Sequence, residues 1–185
     1  MFHIDRDGRY YRVADAVWQS PFDGSYSRQR GGRWNPPNTF PVVYLSRDIP
    51  TARAFVLHKF RGLPYGPELL RADQAPVLIA TDITRKQYVD VVTEAGCVAV
   101  GLPPTYPLNG AGGLVPWTQC QPIGQRAWDA GENGIACRSA ALPGGVEELA
   151  YFSRSETPDL AERARWAFDQ WFWPAGSIAD DGGSD

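Results

Sequence analysis

Apolar positions along the chain change period several times, and each change marks an element. Tyr10 to Ala14 alternates apolar and polar residues and predicts an opening strand, followed by a loop through Phe22-Asp-Gly-Ser-Tyr-Ser-Arg28. Val42 to Ser46 is a short apolar run behind a Pro/Asn turn and predicts a buried strand. Residues 50–60 predict a helix, with Pro50 in its first turn and Gly62 beyond its end. Pro76 to Ile83 and Tyr88 to Val92 predict two further strands.

Gly and Pro crowd the stretch from Gly101 to Pro116, which predicts an irregular surface loop. Trp117 to Ala130 predicts a helix, with Pro122 as a start or kink and Gly131 as its stop. Gly134 to Ala140 and Val146 to Ser153 predict two strands joined by the turn Leu142-Pro-Gly-Gly145. Pro158 to Trp173 predicts a last helix capped by Thr157, with Trp166, Trp171 and Trp173 as packing residues. Strands and helices mix without regular alternation, so the expected class is α+β, a mixed sheet core with flanking helices. One domain over residues 1–175 is expected, with 176–185 as a disordered tail.

Composition narrows the functional classes. The 185 residues are 43% hydrophobic and 21% charged, as in an ordinary soluble domain. A net charge of −3 argues against a nucleic-acid binder that works through a general basic field. No stretch is long enough to span a bilayer, and Met-Phe-His-Ile-Asp-Arg-Asp at the start holds no apolar signal region. Cys97, Cys120 and Cys137 are odd in number and lack zinc spacing, which fits buried thiols in a reducing cytoplasm. His3 and His58 are too few for a histidine metal cluster or a Ser-His-Asp triad, so no metal is expected.

The chemistry concentrates in Arg30-Gly-Gly-Arg-Trp-Asn-Pro-Pro37 and the strand after it. Glycine allows close backbone approach, a guanidinium can clamp a phosphate with two parallel bonds, and aromatic faces can stack on a flat ring. Together they suit an anionic, ring-bearing ligand such as a nucleotide. Arg33 beside Gly32 can bind a pyrophosphate, or equally stack on Trp34 or pair with a surface carboxylate. Tyr44 can face a pocket or anchor the core. Ser139 has no histidine nearby to make it a nucleophile, so it either hydrogen-bonds a ligand or is structural. Glu147 and Glu148 split across a strand, one solvated and one on the sheet's other side; a carboxylate in a pocket can stabilise the charge of a breaking glycosidic bond.

Taken in order, Tyr11-Arg12, Gly31-Gly-Arg-Trp-Asn-Pro36, Val43-Tyr-Leu-Ser46, an Ala-rich helix, Trp128, Gly134-Ile-Ala-Cys-Arg-Ser-Ala140, Pro143-Gly-Gly145 and Leu149-Ala-Tyr-Phe152 resemble the RES domain family. The resemblance runs from about Tyr11 to Phe152 and is most specific at Gly-Gly-Arg-Trp-Asn. It implies an ADP-ribosyltransferase-like core and a toxin that cleaves the nicotinamide–ribose bond of NAD by hydrolysis or phosphorolysis. It also implies a cognate antitoxin that blocks the cleft, and leaves an ADP-ribosyltransferase acting on a protein as the alternative. Arg33, with Gly32, would hold the NAD phosphates or ribose, and Tyr44 would contact the nicotinamide side. Ser139 would sit near the nicotinamide ribose or amide, and Arg12 and Trp34 would line or support the cleft. The family glutamate is missing: Phe55 stands in its place, and no acidic residue lies between Asp48 and Glu68. That loss implies a slower enzyme, a carboxylate from elsewhere (Asp48, Glu147 or Glu148), or a binder that has lost its chemistry.

Overall fold

A computed structural model describes residues 1–155 and 159–173. In chain order the elements are β1 (His3–Ala14), α1 (Ser25–Arg30), β2 (Val42–Ser46), α2 (Ile49–Lys59), β3 (Val77–Val91), α3 (Glu94–Val100), α4 (Trp117–Asp129), β4 (Gly134–Arg138), β5 (Glu147–Phe152), β6 (Glu162–Trp166) and α5 (Phe168–Trp171). The strands form a 6-stranded mixed sheet in the order β1-β2-β5-β4-β3-β6, and β1 also pairs with β3. That extra pairing closes β1, β2, β5, β4 and β3 into a ring, with β6 added along the outside of β3. All neighbours are antiparallel except β3 and β4. The class is α+β, as the sequence pattern predicts.

Closure of the ring sorts the apolar residues into three groups. Tyr10, Val43, Leu45, Ile79, Tyr88, Leu149 and Tyr151 pack inside it. Outside, Trp34, Phe40, Val42, Val91, Tyr106, Ile123, Ile135 and Phe152 form a core beneath α4 and the 101–116 loop. Tyr11, Leu78 and Ala80 pack on Ala52 and Val56 of α2 and on Phe168, Trp171 and Phe172. Successive strand residues point to opposite faces, so each strand of the ring feeds the inner core and an outer one.

Several elements depart from the sequence expectation. β1 starts at His3 rather than Tyr10, because its polar first half is matched across the ring: Asp5 pairs with Arg85, and Arg6 with Glu147. The two strands expected at 76–83 and 88–92 are one strand, β3, whose polar middle is held by those contacts and by Lys86–Asp159. The expected helix over 158–173 is instead β6 followed by the short α5. In Glu162-Arg-Ala-Arg-Trp166, Ala164 and Trp166 turn toward the third core while the charged residues stay outside, a two-residue period that pairs with Leu78–Thr81 of β3. Thr157 and the tail from 176 lie outside the described residues. α1 and α3 fall in segments the pattern does not mark as helical.

Candidate active site

The turn that carries Arg33 is fastened from three directions. α1 stops at Gly31, which has φ of 76°, and the Gly31 N–H donates to the Ser27 carbonyl at 2.7 Å. Gly32 N–H then donates to Asn35 O at 2.9 Å. The Tyr44 hydroxyl accepts from Trp34 N–H at 2.9 Å and donates to Asn35 Oδ1 at 2.8 Å. Asn35, fully buried, donates from Nδ2 to Ser27 O and Phe40 O. From above, Gln121 of α4 donates to Gly32 O at 3.0 Å. Gly124 lies so close that a Cβ there would sit 1.7 Å from Trp34 O. Gly32 is equally constrained: a Cβ would meet the Tyr44 hydroxyl at 2.4 Å.

Arg33 itself stays partly accessible. One nitrogen, Nη1, donates to Val115 O at 2.8 Å, which leaves other donors of the fork uncommitted among the described residues. Burial lowers its pKa, but Tyr106, Cys120 and Cys137 around it raise it further, so the net shift is upward and the guanidinium is a fixed cation.

The register of the sheet sets the other wall. Ser46, Glu148 and Cys137 lie side by side across β2, β5 and β4, one step along from Tyr44 and Ala150. Ser139, just past β4 and 1% exposed, donates from Oγ to Glu148 Oε1 at 2.6 Å and accepts from Leu142 N–H at 3.1 Å. Among the described residues Glu148 has no direct ion pair; Arg33 acts on it through space. Burial raises the Glu148 pKa, and the Ser139 bond and Arg33 pull it back only in part. Burial likewise pushes Tyr44, Tyr106 and Cys137 far upward, so all three stay neutral. Tyr44, Arg33 and Glu148 each combine a crowded, desolvated setting with partial access to solvent.

The structure thus groups Gly32, Arg33, Tyr44 and Ser139 on the outer face, with Trp34 beneath them. Trp34 is 1% exposed and packs on Tyr106, so it supports the cleft from the core. Arg12 is elsewhere: it pairs with Ile79 and shares the inner face with Tyr10 and Ala14, across the sheet from Tyr44. Its guanidinium lies over Trp18, Nε and Nη1 are buried without hydrogen bonds, and burial lowers its pKa to about 10.

The carboxylates separate just as sharply. Asp48 caps α2 by accepting from Thr51 N–H at 2.8 Å. Glu147 turns to the inside of the ring, where Arg6 and Tyr10 bond it, rather than into solvent. Phe55 is 39% exposed on α2, with the Lys59 ammonium over its ring. Burial, then Arg61 and Arg33, lower the pKa of His58, so the second half of α2 faces the same cation. Tyr106, Gln121 and Cys137 complete the surroundings and have no sequence signal of their own; the parity of β5 against β2 is what singles out Glu148. Among the described residues no cluster of His, Cys, Asp and Glu could hold a metal ion.

The RES domain family model matches residues 9–173. NAD(+) phosphorylase MbcT of Mycobacterium tuberculosis is 30% identical over 153 residues, covering 83% of this chain and 78% of the relative, and so is MbcT of Mycobacterium bovis. A chain of the crystal structure of the M. tuberculosis MbcT–MbcA toxin–antitoxin complex superposes with a TM-score of 0.73, at 24% identity, over 92% of this chain and 91% of that one. At that identity the superposition speaks for the fold alone.

Proposed function

Since the chain belongs to the RES domain family, we propose that it is an NAD-cleaving enzyme that breaks the nicotinamide–ribose bond and depletes cellular NAD as a toxin. The reading is carried by one observation: a rigid turn presents the Arg33 cation beside Tyr44 and the hydrogen-bonded Ser139–Glu148 pair. In this reading Arg33 holds the pyrophosphate or ribose, and Gly32 lets the ligand approach the backbone. Tyr44 borders the nicotinamide end, and Ser139 lies at the nicotinamide ribose. Trp34 supports this wall from the core, and Arg12 lies on the sheet's other face. NAD is the substrate, the protein acts in the cytoplasm, and a cognate antitoxin covers the cleft; a partner of that kind is in keeping with MbcT and MbcA, which form a toxin–antitoxin complex.

Purified protein incubated with NAD, with and without inorganic phosphate, tests this. Nicotinamide release is expected, with phosphorylated ADP-ribose as the phosphate-dependent product of a phosphorylase or free ADP-ribose as that of a glycohydrolase. Label from NAD retained on a protein would mark the transferase alternative. Intact NAD after prolonged incubation with folded protein would overturn the proposal. The exposed Phe55 favours a second reading, a weakened binder, which calorimetry would reveal as NAD binding without turnover.

A further inference from the structure

Departure of nicotinamide leaves positive charge on the ribose, and a fixed carboxylate facing that charge lowers the barrier. The helix position that carries the family glutamate holds Phe55, which has no charge to offer. Of the three carboxylates that could stand in for it, Asp48 is spent on the α2 cap and Glu147 on Arg6 and Tyr10 inside the ring. Glu148 alone of these three stands on the outer face with Tyr44 and Ser139. One of its oxygens, Oε1, is taken by the Ser139 hydroxyl, while Oε2 has no hydrogen-bond partner among the described residues. Two small residues, Ser46 and Cys137, flank it in register on β2 and β4.

We propose that Glu148, carried on β5, is the catalytic carboxylate of this chain, with Oε2 turned to the nicotinamide ribose and Ser139 as its positioning residue. The inference rests on the NAD-cleaving reading above. The C–N bond breaks heterolytically, and its electron pair leaves with the ring nitrogen as neutral nicotinamide. Glu148 offsets the charge at the ribose carbon without bonding to it. An oxygen of phosphate or water then closes the new C–O bond; from water, the surplus proton passes to solvent.

The groups facing Glu148 make its ionisation readable. Tyr44 from β2, Cys137 from β4 and Tyr106 from the loop before α4 stay protonated, and Arg33 stays charged. Arg33 acts on His58 of α2, whose pKa is lowered from its ordinary value chiefly by burial. Its contribution is removed by making the measurements in a His58→Gln background. Turnover should then fall, as pH drops, through a single limb set above the ordinary carboxylate range, because burial raises Glu148.

Kinetics of NAD consumption test this, with calorimetric NAD affinity and thermal melting alongside. Glu148→Gln keeps an acceptor for Ser139, so it should bind NAD within about threefold of the parent while kcat falls about 100-fold or more and the acid limb disappears. Ser139→Ala should move the limb to higher pH, since the lost bond is one that held Glu148 ionised. Glu148→Asp, which retains a carboxylate, should fold, keep measurable turnover and keep the limb. Unchanged kcat in folded Glu148→Gln, or an unmoved limb in Ser139→Ala, overturns the assignment while NAD cleavage by the parent stands. If Glu148→Gln does not fold, loss of the limb in Glu148→Asp overturns it instead. A parent that releases no nicotinamide overturns the function and the assignment together.

Discussion

Removing one oxygen, in Tyr44→Phe, separates a structural tyrosine from one that touches substrate. The hydroxyl has two protein partners, Trp34 N–H at 2.9 Å and Asn35 Oδ1 at 2.8 Å. Trp34 and Asn35 are 1% and 0% exposed, so both groups lose a partner in the interior. A hydrogen bond contributes about 1 kcal/mol net, and each orphaned buried group adds about 1–3 kcal/mol. Water admitted through the partly open side of the ring recovers some of this, leaving a loss of about 2 kcal/mol. With a urea slope of about 2 kcal/mol per molar, the unfolding midpoint should drop by about 1 M. Arg33 lies between Gly32 and Trp34, so NAD affinity should weaken along with stability. Urea melts followed by Trp fluorescence, with NAD affinity measured on the folded fraction, read both effects. A midpoint within about 0.2 M of the parent combined with lost turnover would refute the reasoning and move the hydroxyl onto the substrate.

Gly124→Ala should cost more than about 3 kcal/mol, because its Cβ would fall 1.7 Å from Trp34 O and backbone must move; soluble yield and melting temperature check it. Arg12→Met should match or exceed the parent's stability in urea melts and keep NAD turnover. It replaces a buried guanidinium, with two unbonded nitrogens on the face opposite Tyr44, by an apolar chain of similar length. Burial raises the Asp90 pKa, but bonds from the Thr93 hydroxyl and from the Thr93 and Val92 N–H groups, with Arg6, turn the net shift downward. Its stabilisation is therefore complete above the ordinary carboxylate range and disappears as pH falls through the lowered value. Asp90→Asn should cost about 1–2 kcal/mol near neutral pH, with the gap closing in acid melts.

What the residue pattern conveys depends on whether the cause is local. β2 and α4 are legible because their boundaries are written in adjacent residues: the Pro/Asn turn before Val42, and Gly131 after the last turn of α4. The first half of β1 and the middle of β3 are not, because their polar residues find partners 73 or more positions away, as Lys86 does with Asp159, Arg85 with Asp5 and Arg6 with Glu147. β6 fails for the same reason: Glu162–Trp166 pairs with β3, and that pairing overrides a helical composition. In the site, the Gly-Gly-Arg-Trp-Asn turn is legible as chemistry. That Arg12 lies across the sheet is not, since one residue of strand parity decides it and the parity depends on closure of the ring.

The same parity explains how this chain can lack an acid on α2 and still keep one in the cleft. Adjacent residues of a strand face opposite ways, so Glu147-Glu148 necessarily delivers one carboxylate to each side of the ring. Arg6 pairs with the inner one and the Tyr10 hydroxyl donates to it, so that carboxylate is fully engaged. The outer one meets no bonded cation among the described residues, only Ser139 and, through space, Arg33. A carboxylate left in that state is costly to stability, as its raised pKa records. Had packing alone shaped this position, an apolar residue like Ala150 or Phe152 on the same face would serve better. Retaining an ionisable group where it destabilises the fold, beside a fixed arginine and a committed serine, is the pattern expected of a site built for chemistry.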